Sequence, residues 1–134
     1  MTTRLTFTKA ERLTGKTNIE RLFAEGKTIN EYPLRVIYRV PEEELPIPLR
    51  LLIAVPKRKF RNATDRNRIR RRIREAYRLN RGLMETGEAG LPGLHVAIIY
   101  NADKADLPYG DIDRKMKASL DRLQKFRISV VQPR

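Results

Sequence analysis

A chain of 134 residues, 40% hydrophobic with five Tyr and four Phe, is long enough for one domain with a modest core, and its net charge of +13 calls for a polyanionic partner. The absence of cysteine excludes a disulfide framework and thiolate metal centres, and a single histidine excludes histidine-cluster metal sites. The opening MTTRLTFTKAERLTGK has no apolar run of the kind a secretory signal needs, and the longest apolar stretches, 51–56 and 96–100, fall far short of the roughly 20 residues of a membrane span, so a cytoplasmic protein is expected.

Taken in chain order, residues 1–12 read as an N-terminal extension. Ile19, Leu22 and Phe23 then fall at i, i+3 and i+4 before Gly26, which predicts a short amphipathic helix over 16–25. A short strand is expected around Thr28 and Ile29. Leu34, Val36 and Tyr38 alternate with Arg35, Ile37 and Arg39 as a strand, and residues 49–55 form a second, more continuously apolar one. Between them PEEELPIP, residues 41–48, reads as an exposed acidic, Pro-rich hairpin connection.

The loop PKRKFRNAT leads into a helix that Asn62, Thr64 or Asp65 can cap and that ends near residues 80–82. A Gly-containing connector over 85–93 precedes the strand HVAIIY. A turn at Pro108, Tyr109 and Gly110 opens a last helix from Asp111, with Ile112, Met116, Leu120 and Leu123 as its apolar stripe and 128–134 as a short tail. The order αββαβα, with room for one more short strand around 28–29 and no internal repeat or linker, predicts a single α+β domain over 1–134.

Charge is concentrated in one place. Residues 57–81 contain twelve Lys or Arg against Asp65 and Glu75, a local excess of ten. At 100° per residue Ile69, Ile73, Ala76 and Tyr77 share one side of the central helix, while Asn67, Arg71, Arg74 and Arg78 form a stripe on another, with Arg70 and Arg81 near its edge. Such crowding of like charge destabilises the isolated helix, and a merely solvating face would mix signs. The planar guanidinium fork suits phosphate oxygens, so the stripe reads as a phosphate-binding ridge that Lys57, Arg58 and Lys59 extend. Asn67, the one amide in it, suits RNA or the water of a phosphate-bound metal.

The run Arg66-Asn67-Arg68-Ile69-Arg70-Arg71, continued by Ile73-Arg74-Glu75-Ala76-Tyr77-Arg78, resembles the signature of the protein subunit of bacterial ribonuclease P in residue type, order and spacing. The flanks agree: Ala54-Val55 with Lys57-Arg58 before it, FTKAERL at 7–13, and the segment 19–26. The resemblance implies an αβββαβα domain with a central sheet and a left-handed βαβ crossover, against the usual hand. It also implies binding to the catalytic RNA through Arg66, Asn67, Arg68, Arg70, Arg71 and Arg74, with Mg²⁺ held mainly by that RNA and Asn67 near one such ion. The single-stranded 5′ leader of precursor tRNA is then expected in a cleft lined by Ile19, Phe23 and Tyr38, where aromatic faces stack on bases. Ile19 departs from the aromatic residue many members carry, the loop 59–65 is a residue longer and lacks a glycine, and Arg72 replaces an apolar residue, free to snorkel or to meet a phosphate.

Removal of the leader is then an activity of the ribonucleoprotein, with no catalytic residue in the chain and no membrane or small-molecule partner. A protein nuclease needs clustered carboxylates or a histidine pair, whereas Asp103, Asp106, Asp111 and Asp113 sit at a turn and a helix start, and His95 stands alone. Composition alone equally permits a structural RNA-binding protein such as a ribosomal protein. A DNA-binding regulator is the weakest reading, for want of a helix-turn-helix partner.

Overall fold

The computed structural model describes residues 9–85 and 90–131. A single 3₁₀ turn at Lys9–Glu11 precedes α1 (Lys16–Glu25), β1 (Lys27–Glu31), β2 (Leu34–Arg39), β3 (Leu49–Ala54), α2 (Ala63–Asn80), a one-turn α3 (Gly82–Glu85), β4 (Leu94–Tyr100) and α4 (Tyr109–Val131). This is the αβββαβα order with one added turn of helix after α2. Phe7, most of the N-terminal extension, residues 86–89 of the connector and residues 132–134 of the tail lie outside the described residues.

The four strands run in the order β1-β2-β4-β3. β1 and β2 form an antiparallel hairpin, β2 pairs antiparallel with β4, and β4 pairs parallel with β3. This corrects the reading of 41–48 as a hairpin: β4 lies between β2 and β3, so the acidic segment crosses the end of β4. β3 and β4, being parallel, need the long crossover that α2 supplies.

Cover on both faces explains why β3 and β4, apart from Arg50 and His95, are apolar rather than alternating. One face, carrying Leu34, Val36, Leu49, Leu51, Leu94, Val96, Ile98 and Tyr100, packs against Ile69, Ile73 and Tyr77 of α2 and Ile112, Met116, Leu120 and Leu123 of α4. On the opposite face Ile37 and Ala97 pack with Leu22 of α1 and with Leu13. Gly26 ends α1 because its N–H caps the Leu22 carbonyl at 2.8 Å. A Cβ there would meet the Ile37 side chain at 2.7 Å, so only glycine lets α1 turn this close to the sheet.

The last helix outruns its expected end. It begins at Tyr109 and continues to Val131 in place of a tail from 128. Arg127 holds this extension by donating to the carbonyls of Pro92 and Met84, both at 2.7 Å, and to Gln124 Oε1. The residue is buried, and desolvation lowers its pKa. Three acceptors offset that cost.

Candidate nucleic-acid interface

Asn62 starts α2 by accepting a hydrogen bond from Thr64 N at 2.8 Å, and Asp65 adds a carboxylate to the positive first turn. Burial of Ile69, Ile73, Ala76 and Tyr77 then fixes the rotation of the helix about its axis. Asn67, Arg71 and Arg74 are consequently exposed together, within about 60° of one another around the axis. Neither Arg71 nor Arg74 has an ion pair or side-chain hydrogen bond among the described residues. The same holds for Lys57, Arg58 and Arg61, which project from the loop before the helix.

The other cations of this segment are occupied to different degrees. Arg66 donates to the carbonyls of Phe60 (2.7 Å) and Arg61 (2.9 Å), which closes the loop 59–65 onto the helix. Arg68 pairs with Asp65 at 2.8 Å, Lys59 with Asp103 at 3.3 Å, and Arg70 donates to Asn67 Oδ1 at 3.3 Å. Arg78 is half-buried, and Glu75 takes two hydrogen bonds from its guanidinium. These bonds lower the Glu75 pKa and raise that of Arg78. Arg78 therefore belongs to the ridge by position while its charge is largely answered within the helix.

Two further arginines are structural. Arg72 donates to the Leu107 carbonyl at 2.7 Å and ties α2 to the segment entering α4, so it neither snorkels nor stands free for phosphate. Arg81 is buried against Glu11, each side chain 10% exposed, and this pair pins the N-terminal segment beside α2 rather than extending the ridge.

Ile19 and Phe23 share one flank of α1, half-buried and 46% exposed respectively. The opposite flank is fixed by Arg21 and Glu25, which pair with Glu42 (2.7 Å) and Arg39 (2.9 Å). Helical geometry thus turns Ile19 and Phe23 away from those ion pairs, and Ile19 packs against the cluster of Leu13, Leu22, Ile37 and Ala97. On this same face of the sheet the strand register sets Asn30, Arg35, Ile99 and Ala54 in one row across β1, β2, β4 and β3. Asn30 and Arg35 are exposed, and Arg35 has no side-chain partner among the described residues.

Tyr38 does not join this trough. It points to the other face and meets Phe126 of α4 edge-on, ring centroids 4.8 Å apart. A one-residue step along a strand reverses the face, so Arg35 occupies the side on which Tyr38 was expected. Arg35 is missing from the sequence-based set. Its place in the alternation, out of phase with Leu34 and Val36, is the signal that marks it.

At the crossover, cations and acids neutralise one another. Arg21 holds both carboxylate oxygens of Glu42 (3.0 and 2.7 Å), Arg39 reaches Glu25 and Glu42, and Arg50 lies 3.5 Å from Glu43. A backbone hydrogen bond at Glu42, reinforced by Arg21 and Arg39, keeps its carboxyl below the ordinary range. His95 lies beneath, buried, with Nε2 4.0 Å from Glu43 and neither ring nitrogen hydrogen-bonded among the described residues. Burial lowers its pKa.

The donor set does not fit a magnesium ion held by the protein. Among the described residues no group of three or more His, Asp or Glu converges. Asp111 pairs with Arg114, Asp113 accepts from Asn80 (2.6 Å) and Lys117 (3.1 Å), and around Asn67 the neighbours are guanidinium groups. None of the described helices is long and apolar enough to cross a membrane.

A sequence profile of the family described as Ribonuclease P matches residues 7–124. The chain belongs to the ribonuclease P protein family. A ribonuclease P protein component from Porphyromonas gingivalis is 37% identical over 126 residues, covering 92% of this chain and 91% of that protein. Another from Chlorobaculum tepidum is 32% identical over 127 residues, covering 91% and 76%. Among solved structures, the ribonuclease P proteins of Thermotoga maritima (TM-score 0.67, 24% identity, 84% of this chain and 96% of that one) and Staphylococcus aureus (TM-score 0.65, 23%, 85% and 95%) share the fold. The matched span includes α2 and the loop before it, which carry the unpaired cations.

Proposed function

We propose that this chain, as the protein subunit of a ribonuclease P ribonucleoprotein, lays α2 against the folded catalytic RNA and holds the 5′ leader of precursor tRNA on the α1 side of the sheet. The observation that carries this reading is the set of cations without a partner among the described residues: Arg71 and Arg74 on the helix, Lys57, Arg58 and Arg61 on the loop before it. Lys59, Arg66, Arg68, Arg70 and Arg78 support the contact less directly, each already engaged with a neighbour. Phosphates displace solvent and counterions from the free groups first.

On the leader side, Phe23 offers an exposed ring for base stacking, Ile19 an apolar wall, and Arg35 a cation for the backbone. The protein supplies position and charge, and the phosphodiester is cleaved at a centre in the RNA. Mg²⁺ would be held by oxygens of that RNA, and the exposed Asn67 amide would be the protein group to hydrogen-bond one of its waters. The complex works in the cytoplasm on precursor tRNA. Family membership leaves nothing in favour of the ribosomal-protein alternative.

Reconstitution tests this. The purified chain, mixed with bacterial ribonuclease P RNA at a magnesium concentration where that RNA alone is slow, should release the leader from precursor tRNA. Tight RNA binding without faster processing would return the case to a structural RNA-binding protein.

A further inference from the structure

At the free edge of β3 lies a groove of about 210 Å³ between residues 12–14, the strand backbone at 51–53, and Arg70 and Arg74 of α2. Its floor is apolar, from Leu13 and residues 51–53, and its rim is cationic. The walls are fixed. Leu13 N donates to the Leu51 carbonyl at 3.0 Å, and the buried Glu11–Arg81 pair anchors the same segment to the end of α2.

The strand edge itself carries hydrogen-bonding groups. Leu94 N donates to the Pro48 carbonyl, so by alternation residues 48, 50 and 52 face β4, while 49, 51 and 53 turn outward. Leu13 takes Leu51. The outward groups of Ile53 have no backbone partner of this kind among the described residues, and the exposed Thr14 lines the same groove.

Resting on the catalytic-RNA reading above, we infer that this groove receives one unpaired nucleotide of the catalytic RNA. The volume lies below the roughly 300–1,000 Å³ of pockets for drug-sized ligands, and suits one flat ring. A base inserted there covers the apolar floor and stacks on a guanidinium plane. Its edge meets the Ile53 peptide groups and the Thr14 hydroxyl, and its phosphate lies on the rim formed by Arg70 and Arg74. Duplex RNA cannot enter, because its bases are stacked and paired. The source is the catalytic RNA rather than the leader because the rim arginines belong to α2, whereas the leader trough opens on the α1 side.

The test uses the full chain reconstituted with bacterial ribonuclease P RNA. With p-benzoylphenylalanine at position 16, exposed and just outside the groove, irradiation should crosslink to a single unpaired nucleotide of that RNA, equally with and without precursor tRNA. Crosslinks only to the leader, scattered along helical RNA, or absent altogether overturn the assignment. Thr14→Trp, which fills the groove and leaves every cation in place, should weaken catalytic-RNA binding about tenfold, the loss of one stacked base, with the salt slope unchanged. Wild-type affinity in a Thr14→Trp protein that melts normally also overturns it. Failure of the wild-type chain to bind the RNA at all instead sinks the reading on which the groove depends.

Discussion

Two clusters of arginine occupy this protein, and they differ in what answers their charge. Along α2 and the loop before it, Arg71, Arg74, Lys57, Arg58 and Arg61 have no partner among the described residues. At the crossover, Arg21, Arg39 and Arg50 are held by Glu25, Glu42 and Glu43. Both clusters add to the +13 of the chain, yet only the first leaves its field unbalanced toward an RNA. Counting basic residues therefore overstates the interface.

The largest expected effect comes from emptying the free cluster. Arg71→Ala with Arg74→Ala should weaken catalytic-RNA binding about 50-fold, at ~1 kcal/mol or slightly more for each charge-assisted phosphate contact, with the melting temperature nearly unchanged. Filter binding and thermal melting of the same preparation check both halves. A collapse in melting with intact binding per folded molecule contradicts the placement of these side chains.

The paired cluster should respond the other way. Arg21→Ala with Arg39→Ala is expected to leave RNA affinity within about twofold while lowering stability only modestly, because Glu42 and Glu25 are more than half exposed. Denaturant titration measures it. Glu42→Gln with Glu43→Gln sharpens the contrast, since it removes two of the three acids and leaves every arginine in place, with Glu25 alone still answering Arg21 and Arg39. Non-specific single-stranded RNA should then bind about threefold tighter, with a salt slope steeper by ~0.7 for each phosphate gained.

The smallest effect concerns pH. Burial depresses the His95 pKa below its ordinary 6.5, so the unfolded chain takes up a proton before the folded one does. Stability is full above that value and declines as pH falls from it toward the depressed folded pKa. The melting temperature should drop on that interval in the wild type and drop less in His95→Gln.

The features most legible in the sequence were local. Asn62 before a run with Ile69, Ile73, Ala76 and Tyr77 at helical spacing places α2 and its exposed stripe correctly. Gly26 likewise ends α1 where the pattern ends. Non-local relations were not legible. Strands β2 and β3 are neighbours in sequence, but β4, some 40 residues on, inserts between them, and nothing within residues 41–48 encodes that. The face of Tyr38 depended on which side of the sheet α4 covers. The extension of α4 past 127 is not legible because Arg127 holds it through the carbonyls of Met84 in α3 and Pro92 before β4, both distant in sequence.

The most direct test is the salt dependence of catalytic-RNA affinity in the two double variants. The slope of log affinity against log salt should flatten by about 1.4 to 1.8 in Arg71→Ala/Arg74→Ala, at 0.7 to 0.9 per phosphate contact, and stay at the wild-type value in Arg21→Ala/Arg39→Ala. Equal flattening in both, or flattening in the second alone, contradicts the account.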